Sequence, residues 1–149
     1  MNIQCFGSLS EEVICKLESA LGVTLPGGYR SFLKETGGGI VKQDGKNRIT
    51  IPSIGQTIAV DVLFGYGVAQ NSDILYWNKK YRDEMLDDAV LIGFDIHQGF
   101  LFLIASGDDT GVYYWDDAYV FEESDEDQNV YQLVKDFSEL LVDVKEAAE

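Results

Sequence analysis

The sequence predicts an α+β fold, with a mixed, largely antiparallel sheet and helices packed on one face of it. Two helix-like segments come first, strand-like runs dominate the middle, and the chain lacks the regular alternation of a doubly wound fold. The apolar runs of the second half are short and separated by turn residues, which is typical of an antiparallel meander. With 149 residues, we expect residues 1–149 to form a single domain.

The first two predicted helices are marked by their end signals. Ser10 can cap the first helix, which then runs to Gly22. The second begins at Pro26 and stops at a run of three glycines, 37–39. Its apolar face is predicted from residues at i, i+3 and i+4, namely Tyr29, Phe32 and Leu33. The link between the helices is very short, so we expect them to pack as a pair.

The next segment predicts a hairpin, a strand and a third helix. The Asp44-Gly45 pair is a hairpin signal between a strand at residue 40 and a return strand over 48–51. Residues 58–64 predict a further strand. Asn71, Ser72 and Asp73 form a capping cluster, and the helical spacing that follows predicts a helix to about Met85.

The second half predicts a four-stranded meander and a closing helix. The strands are predicted over 89–94, 100–105, 112–115 and 119–121, and the first two are apolar on both faces. Residues 130–144 carry apolar side chains at helical spacing and predict an amphipathic helix across the sheet.

Charge is unevenly distributed along the chain. The formal net charge is −15, but residues 1–82 carry nine Lys/Arg and seven Asp/Glu, whereas residues 83–149 carry two and nineteen. A field of this sign repels nucleic acid and anionic membrane and attracts basic partners. The alternative is that the acidity serves solubility alone. The confinement of the excess to one half of the chain keeps the partner interpretation open.

The sequence also indicates a compartment. It contains no apolar run long enough to span a bilayer and no signal-peptide pattern at its start, so we expect a cytoplasmic protein and no membrane association. Cys5 and Cys15 lack metal-binding spacing and are predicted to be reduced thiols, with Cys15 on a buried helix face.

The residues suited to chemistry are few. Asp95 and His97 alternate and supply too few ligands for a zinc site. Paired aspartates, which can hold magnesium or act as acid and base, occur at residues 108–109 and 116–117. No phosphate loop or nucleophile elbow accompanies them, and aspartate is common in turns. We therefore predict no catalytic residue, no metal and no cofactor. A metal-dependent hydrolase that uses these aspartates is the least favoured functional hypothesis.

The order of several short motifs resembles a known family. The opening motifs are Leu21-Gly22, Leu25-Pro26, Tyr29, Phe32-Leu33 and the glycine run. Downstream, the pattern continues with Phe64-Gly65, residues 71–74, residues 91–93, the strand 112–116 and Phe137 with Leu140-Leu141. Together they resemble the SUKH superfamily of Smi/Knr-type domains. Gly37 stands where that pattern has Asn and Thr36 where an aromatic is frequent, and both departures are mild because Gly and Asn each tolerate a positive φ.

The resemblance implies a SUKH (Smi/Knr-like) fold and a protein-binding module. Bacterial members are mostly immunity proteins, which neutralise a cognate toxin, often a nuclease. The resemblance implies a cognate protein toxin as partner, and the acidic charge favours a partner with a basic surface and excludes nucleic acid. We expect the chain to be monomeric or a weak homodimer. The alternative is a non-enzymatic regulatory interaction module of the Smi/Knr type.

Charge and aromatic content predict where the partner binds. Acidic surfaces speed association with basic partners, and aromatic residues are favoured anchors. The predicted contact residues supply charge through Asp116, Asp117, Glu122, Glu123, Asp125, Glu126 and Asp127, with Tyr114 or Trp115 as the aromatic anchor. The alternative is that the rings of this strand serve core packing alone.

Overall fold

The computed structural model describes residues 1–141 and the backbone of residues 145–146. In this part of the chain the strands are β1 Asn2–Cys5, β2 Gly39–Val41, β3 Arg48–Thr50, β4 Thr57–Leu63, β5 Ala89–Asp95, β6 Phe100–Ile104, β7 Gly111–Trp115, β8 Val130–Val134 and β9 Lys145–Glu146. The α-helices are α1 Glu11–Leu21, α2 Gly27–Thr36, α3 Ile74–Tyr81 and α4 Phe137–Leu140. No helix in these residues is both long and apolar enough to cross a bilayer.

The strands form one sheet in the order β8-β7-β6-β5-β4-β2-β1-β9, and β3 pairs with β4 beside this path. Neighbouring strands are antiparallel, except that β1 and β9 are parallel. Every residue of β6 is buried, and so is all of β5 except Phe94. The predicted α+β class with a largely antiparallel sheet is confirmed.

The ends of α1 and α2 lie where the sequence predicts them. The Ser10 hydroxyl accepts a hydrogen bond from the backbone N–H of Val13 at 3.2 Å, and Gly22 ends α1 with a φ of 74°. Gly37 ends α2 in the same left-handed conformation. Cys15, in contrast, is exposed on α1, so its predicted burial is wrong.

The glycine run after α2 lies where three backbone segments meet. A Cβ atom on Gly37 would lie 1.9 Å from the carbonyl oxygen of Gly7, and one on Gly38 would lie 2.3 Å from that of Phe64. Both residues also have a positive φ. Glycine is therefore required here for the close approach as well as for the turn.

Helix α3 is joined to the sheet by a buried side chain. Its N-terminus is capped by Asp73, whose carboxylate accepts from the N–H groups of Leu75 and Tyr76. Asn78 donates to the Leu91 carbonyl at 2.9 Å and accepts from the Leu91 N–H at 2.8 Å. Because one amide satisfies both backbone groups of Leu91, it replaces a neighbouring strand at that position of β5.

The predicted hairpin around Asp44 is wrong. Strand β2 lies between β1 and β4, so both of its edges are occupied, and β3 pairs with β4 instead. The Asp44-Gly45 turn does form, with the Asp44 carboxylate accepting from the N–H of Lys46, but the chain after it turns toward β4. There the Asn47 side chain donates to the Val60 carbonyl. Strand β1, which pairs with β2, is not predicted by the sequence pattern.

The predicted helix over residues 130–144 is also wrong. Residues 130–134 form strand β8, in which Tyr131 and Leu133 are buried while Val130 and Gln132 are exposed. This period of two buries one face against the core and gives β7 a pairing partner. In the described residues that follow directly, Phe137–Leu140 form the short helix α4, which is capped by Asp136. Val144, the last residue of the predicted apolar face, lies outside the described residues.

Candidate functional site

The predicted contact residues begin at the end of β7, where successive side chains point to opposite faces. Tyr114 is fully buried, and its hydroxyl donates to a carboxylate oxygen of Asp95 at 3.0 Å. Burial, followed by the adjacent Asp95 charge, raises the pKa of Tyr114. Tyr114 cannot serve as a surface anchor, and its prediction as one is wrong because its side chain belongs to the core.

Trp115 lies on the opposite face of β7 and is partly exposed. Its ring centroid is 5.8 Å from that of Phe100 on the neighbouring strand and 5.8 Å from that of Tyr81 on α3. These contacts hold the indole in one position while part of it faces solvent. Of the two aromatic residues predicted as anchors, Trp115 is the one that a partner can reach.

Asp116 is buried and organises the loop that follows it. Its carboxylate oxygens accept from the backbone N–H groups of Val120 and Phe121, each at 2.9 Å. Asp116 therefore supplies no surface charge, and its prediction as a contact residue is wrong. The predicted strand at 119–121 is wrong too, because these bonds hold a turn in which Tyr119 has a φ of 53°.

The turn exposes to solvent two apolar side chains that the sequence analysis did not predict as contact residues. Tyr119 is 50% exposed and Val120 46% exposed. Both lie between Asp117 and Glu122, which are also exposed. The residue pattern at 119–121 fits a short strand and does not show that Tyr119 and Val120 face solvent while Phe121 is buried. The turn is formed by the hydrogen bonds that Asp116 accepts.

The loop over residues 122–127 is exposed but locally ordered. The Asp125 carboxylate accepts from the N–H groups of Asp127 and Gln128, at 2.9 and 2.8 Å. The hydroxyls of Ser124 and Tyr131 share a hydrogen bond of 2.8 Å. We call Asp117 and the acidic residues of this loop the acidic surface: Asp117, Glu122, Glu123, Asp125, Glu126 and Asp127.

The carboxylates of the acidic surface form no salt bridge with a cationic side chain in the part of the chain that the structure describes. Within residues 83–141, which the structure describes, no carboxylate forms a salt bridge with a described Lys or Arg. Glu123 accepts a hydrogen bond from the neutral amide of Gln56 at 2.9 Å. The negative charge is thus left to act on molecules outside the chain.

Asp95 is the last residue of β5, and His97 lies in the turn between β5 and β6. One Asp95 oxygen accepts from the N–H groups of His97 and Gly99, and the other lacks a hydrogen-bond partner in the described residues. Burial raises the pKa of Asp95 above its ordinary value. In the part of the chain that is described, no three His, Cys, Asp or Glu side chains come together in a way that would hold a metal ion.

Comparison with known families identifies the fold family. The sequence matches the SMI1 / KNR4 family (SUKH-1) over residues 8–143. The chain belongs to this family. Among curated protein sequences, none matches the chain. SUKH-1 domains are generally non-enzymatic immunity or interaction domains, so membership supports an immunity-like or Smi/Knr-type module.

Proposed function

We propose that this SUKH-1 chain is an immunity protein that binds a cognate toxin and neutralises it. The acidic surface docks on the basic, nucleic-acid-binding cleft of a nuclease-type toxin and excludes its substrate. The protein acts in the cytoplasm as a single domain over residues 1–149, monomeric or as a weak homodimer. It performs no catalysis.

One observation carries this proposal. The acidic surface is exposed, its backbone is fixed by internal hydrogen bonds, and its carboxylates lack cations among the described residues. Unpaired charge of one sign on an ordered surface steers a partner of opposite charge and speeds association. A charge that served solubility alone would not need a fixed loop.

The proposal predicts that a toxic domain is encoded next to this gene, and the test uses that domain in a catalytically inactive form. We expect it to bind the wild-type protein, and we expect co-expression of the wild-type protein to rescue cells from the active toxin. Glu122→Gln/Glu126→Gln should slow association and flatten its salt dependence. Absence of binding and rescue would contradict the proposal, and would favour a regulatory Smi/Knr-type module instead.

A matched control separates position from net charge. Glu12→Gln/Glu35→Gln removes two exposed glutamates from α1 and α2, and so changes the net charge by the same amount. Its association rate should stay close to that of the wild-type protein. Equal slowing by both pairs would show that net charge alone, and not the acidic surface, attracts the toxin.

A further inference from the structure

A groove lies on the Trp115 side of the meander, outside the acidic surface. Its volume is about 370 Å³, and its walls include Met85, Leu86, Phe102, Tyr113, Trp115 and Val130. It runs between the segment after α3 and the first residue of β8. Binding pockets in proteins are usually of about 300–1,000 Å³ with mainly apolar and aromatic walls, so this groove is large enough to accept a side chain.

The walls of the groove are held in place before anything binds. The Tyr113 hydroxyl donates to the Asp109 carbonyl at 2.6 Å, and the Tyr113 ring stacks on Phe102 with centroids 5.4 Å apart. On the other side, the Arg82 guanidinium donates to the carbonyls of Leu86 and Ala89. A preformed groove binds without the cost of ordering its own walls.

Two apolar side chains at the groove remain in water. Leu86 is 65% exposed and Val130 is 43% exposed. Their Leu and Val side chains gain free energy when a partner covers them. An exposed apolar patch with a polar rim is typical of an interaction site.

The charges around the groove indicate what covers it. Glu84 and Asn129 are its polar wall residues, and the exposed Asp83 and Asp87 flank the Glu84–Leu86 segment in sequence. The nearest cation in sequence, Arg82, already donates to two carbonyls. A second copy of this acidic chain would bring like charges together, whereas a basic segment would pair with Glu84.

We infer that this groove receives an apolar side chain of the toxin, with flanking Lys or Arg residues reaching Glu84. The inference rests on the proposed function and adds a second contact to it. The acidic surface attracts the toxin, and the groove retains it. Charges at a rim act mainly on association, whereas a buried anchor acts mainly on dissociation, so the two contacts are separable by kinetics.

The test measures the binding kinetics of the inactive toxic domain encoded beside the gene. Leu86→Ser/Val130→Ser should raise the dissociation rate by about tenfold or more, as expected for an anchor, and leave the association rate nearly unchanged. Glu84→Gln removes an exposed charge, so it should mainly slow association and raise the dissociation rate by a smaller factor than Leu86→Ser/Val130→Ser. Both variants change exposed side chains, and an unchanged unfolding midpoint would confirm that they fold.

The control, Ile40→Ser/Ile96→Ser, replaces two exposed isoleucines that do not line the groove. They are 41% and 50% exposed in the wild-type protein. The dissociation rate of the control should match that of the wild-type protein. If the groove variant dissociates no faster than the control while the wild-type protein binds, the groove assignment is wrong and the proposed function stands. If the wild-type protein does not bind the toxin, the groove assignment and the proposed function are both wrong.

A third outcome would assign the groove to another occupant. Light scattering should give the same mass for the wild-type protein and for Leu86→Ser/Val130→Ser. A wild-type dimer that the groove substitutions convert to a monomer would show that a second copy covers the groove, and would overturn the inference.

Discussion

The glutamates of α1 and the aspartates of the meander turns differ in the groups that surround them. Glu11 and Glu18 lie 2.7 and 3.0 Å from the Arg30 guanidinium, and Lys34 lies 2.7 Å from Glu11. In the described residues from 83 onward, carboxylates either accept backbone N–H groups or face solvent. Charge in the first region joins two helices, whereas charge in the second region shapes turns and remains available to a partner.

The contrast extends to proton affinity. Hydrogen bonds from Arg30 and Lys34 lower the pKa of Glu11 to about 2. Burial raises the pKa of Asp95, and the hydrogen bonds it accepts only partly oppose this. One region therefore gains stability from ionised carboxylates, while the other loses some at a buried one.

The largest expected effect comes from removing the carboxylate that shapes the turn. Asp116→Ala leaves two backbone N–H groups, those of Val120 and Phe121, without their acceptor, and we expect it to lower the free energy of unfolding by about 2–4 kcal/mol. Asp117→Ala changes an exposed neighbour and should alter it by less than about 0.5 kcal/mol. Urea denaturation of both variants measures the difference; similar values would contradict the role of Asp116.

A smaller effect with a distinct pH dependence is expected at Asp95. The ordinary pKa of 3.8 applies when the chain is unfolded, and burial raises it in the folded state. As pH rises from 3.8 to the raised value, the unfolded chain releases its proton first, so the wild-type protein loses stability there.

Asp95→Asn removes this loss. The free energy of unfolding of Asp95→Asn minus that of the wild-type protein should be larger at pH 7 than at pH 3, as measured by denaturation at each pH. A difference that is the same at both pH values would show that Asp95 adds no pH-dependent cost.

The smallest effect is expected at Glu11, because its ion pairs are exposed and screened by solvent. Its lowered pKa means that its contribution is present above about pH 4.5 and is lost as pH falls toward 2. Glu11→Gln should be slightly less stable than the wild-type protein at pH 6 and equal to it near pH 2. Glu35→Gln, which removes an exposed carboxylate nearby, serves as the control and should show no such convergence.

Local signals predicted the elements whose ends depend on neighbouring residues. Ser10, Gly22 and Asp73 act within four residues of themselves, so their sequence context is sufficient. Residues 130–134 could not be assigned this way, because spacing of three and four fits Val130, Leu133 and Val134 while spacing of two fits Tyr131 and Leu133. Pairing with β7, which is adjacent in space but lies outside the local sequence pattern, decides between them.

The sequence predicts the negative charge of the candidate site but not which of its side chains face solvent. The excess of acidic residues is visible in the sequence, and so is the aromatic strand. Which of Tyr114 and Trp115 faces solvent depends on which face of β7 the core covers, and the sequence shows no marker for that. The groove combines Leu86, Trp115 and Val130 from three separate segments, and only the fold brings them together.

The hydrogen bonds of Asp116 and Asp125 also affect the entropy of binding. They hold the backbone at residues 120–121 and 127–128 in the free protein. A partner that docks there immobilises side chains, at about 0.5–1.5 kcal/mol each, but does not have to order the loop. Asp116, which is buried and supplies no contact of its own, can thereby increase the affinity for a partner.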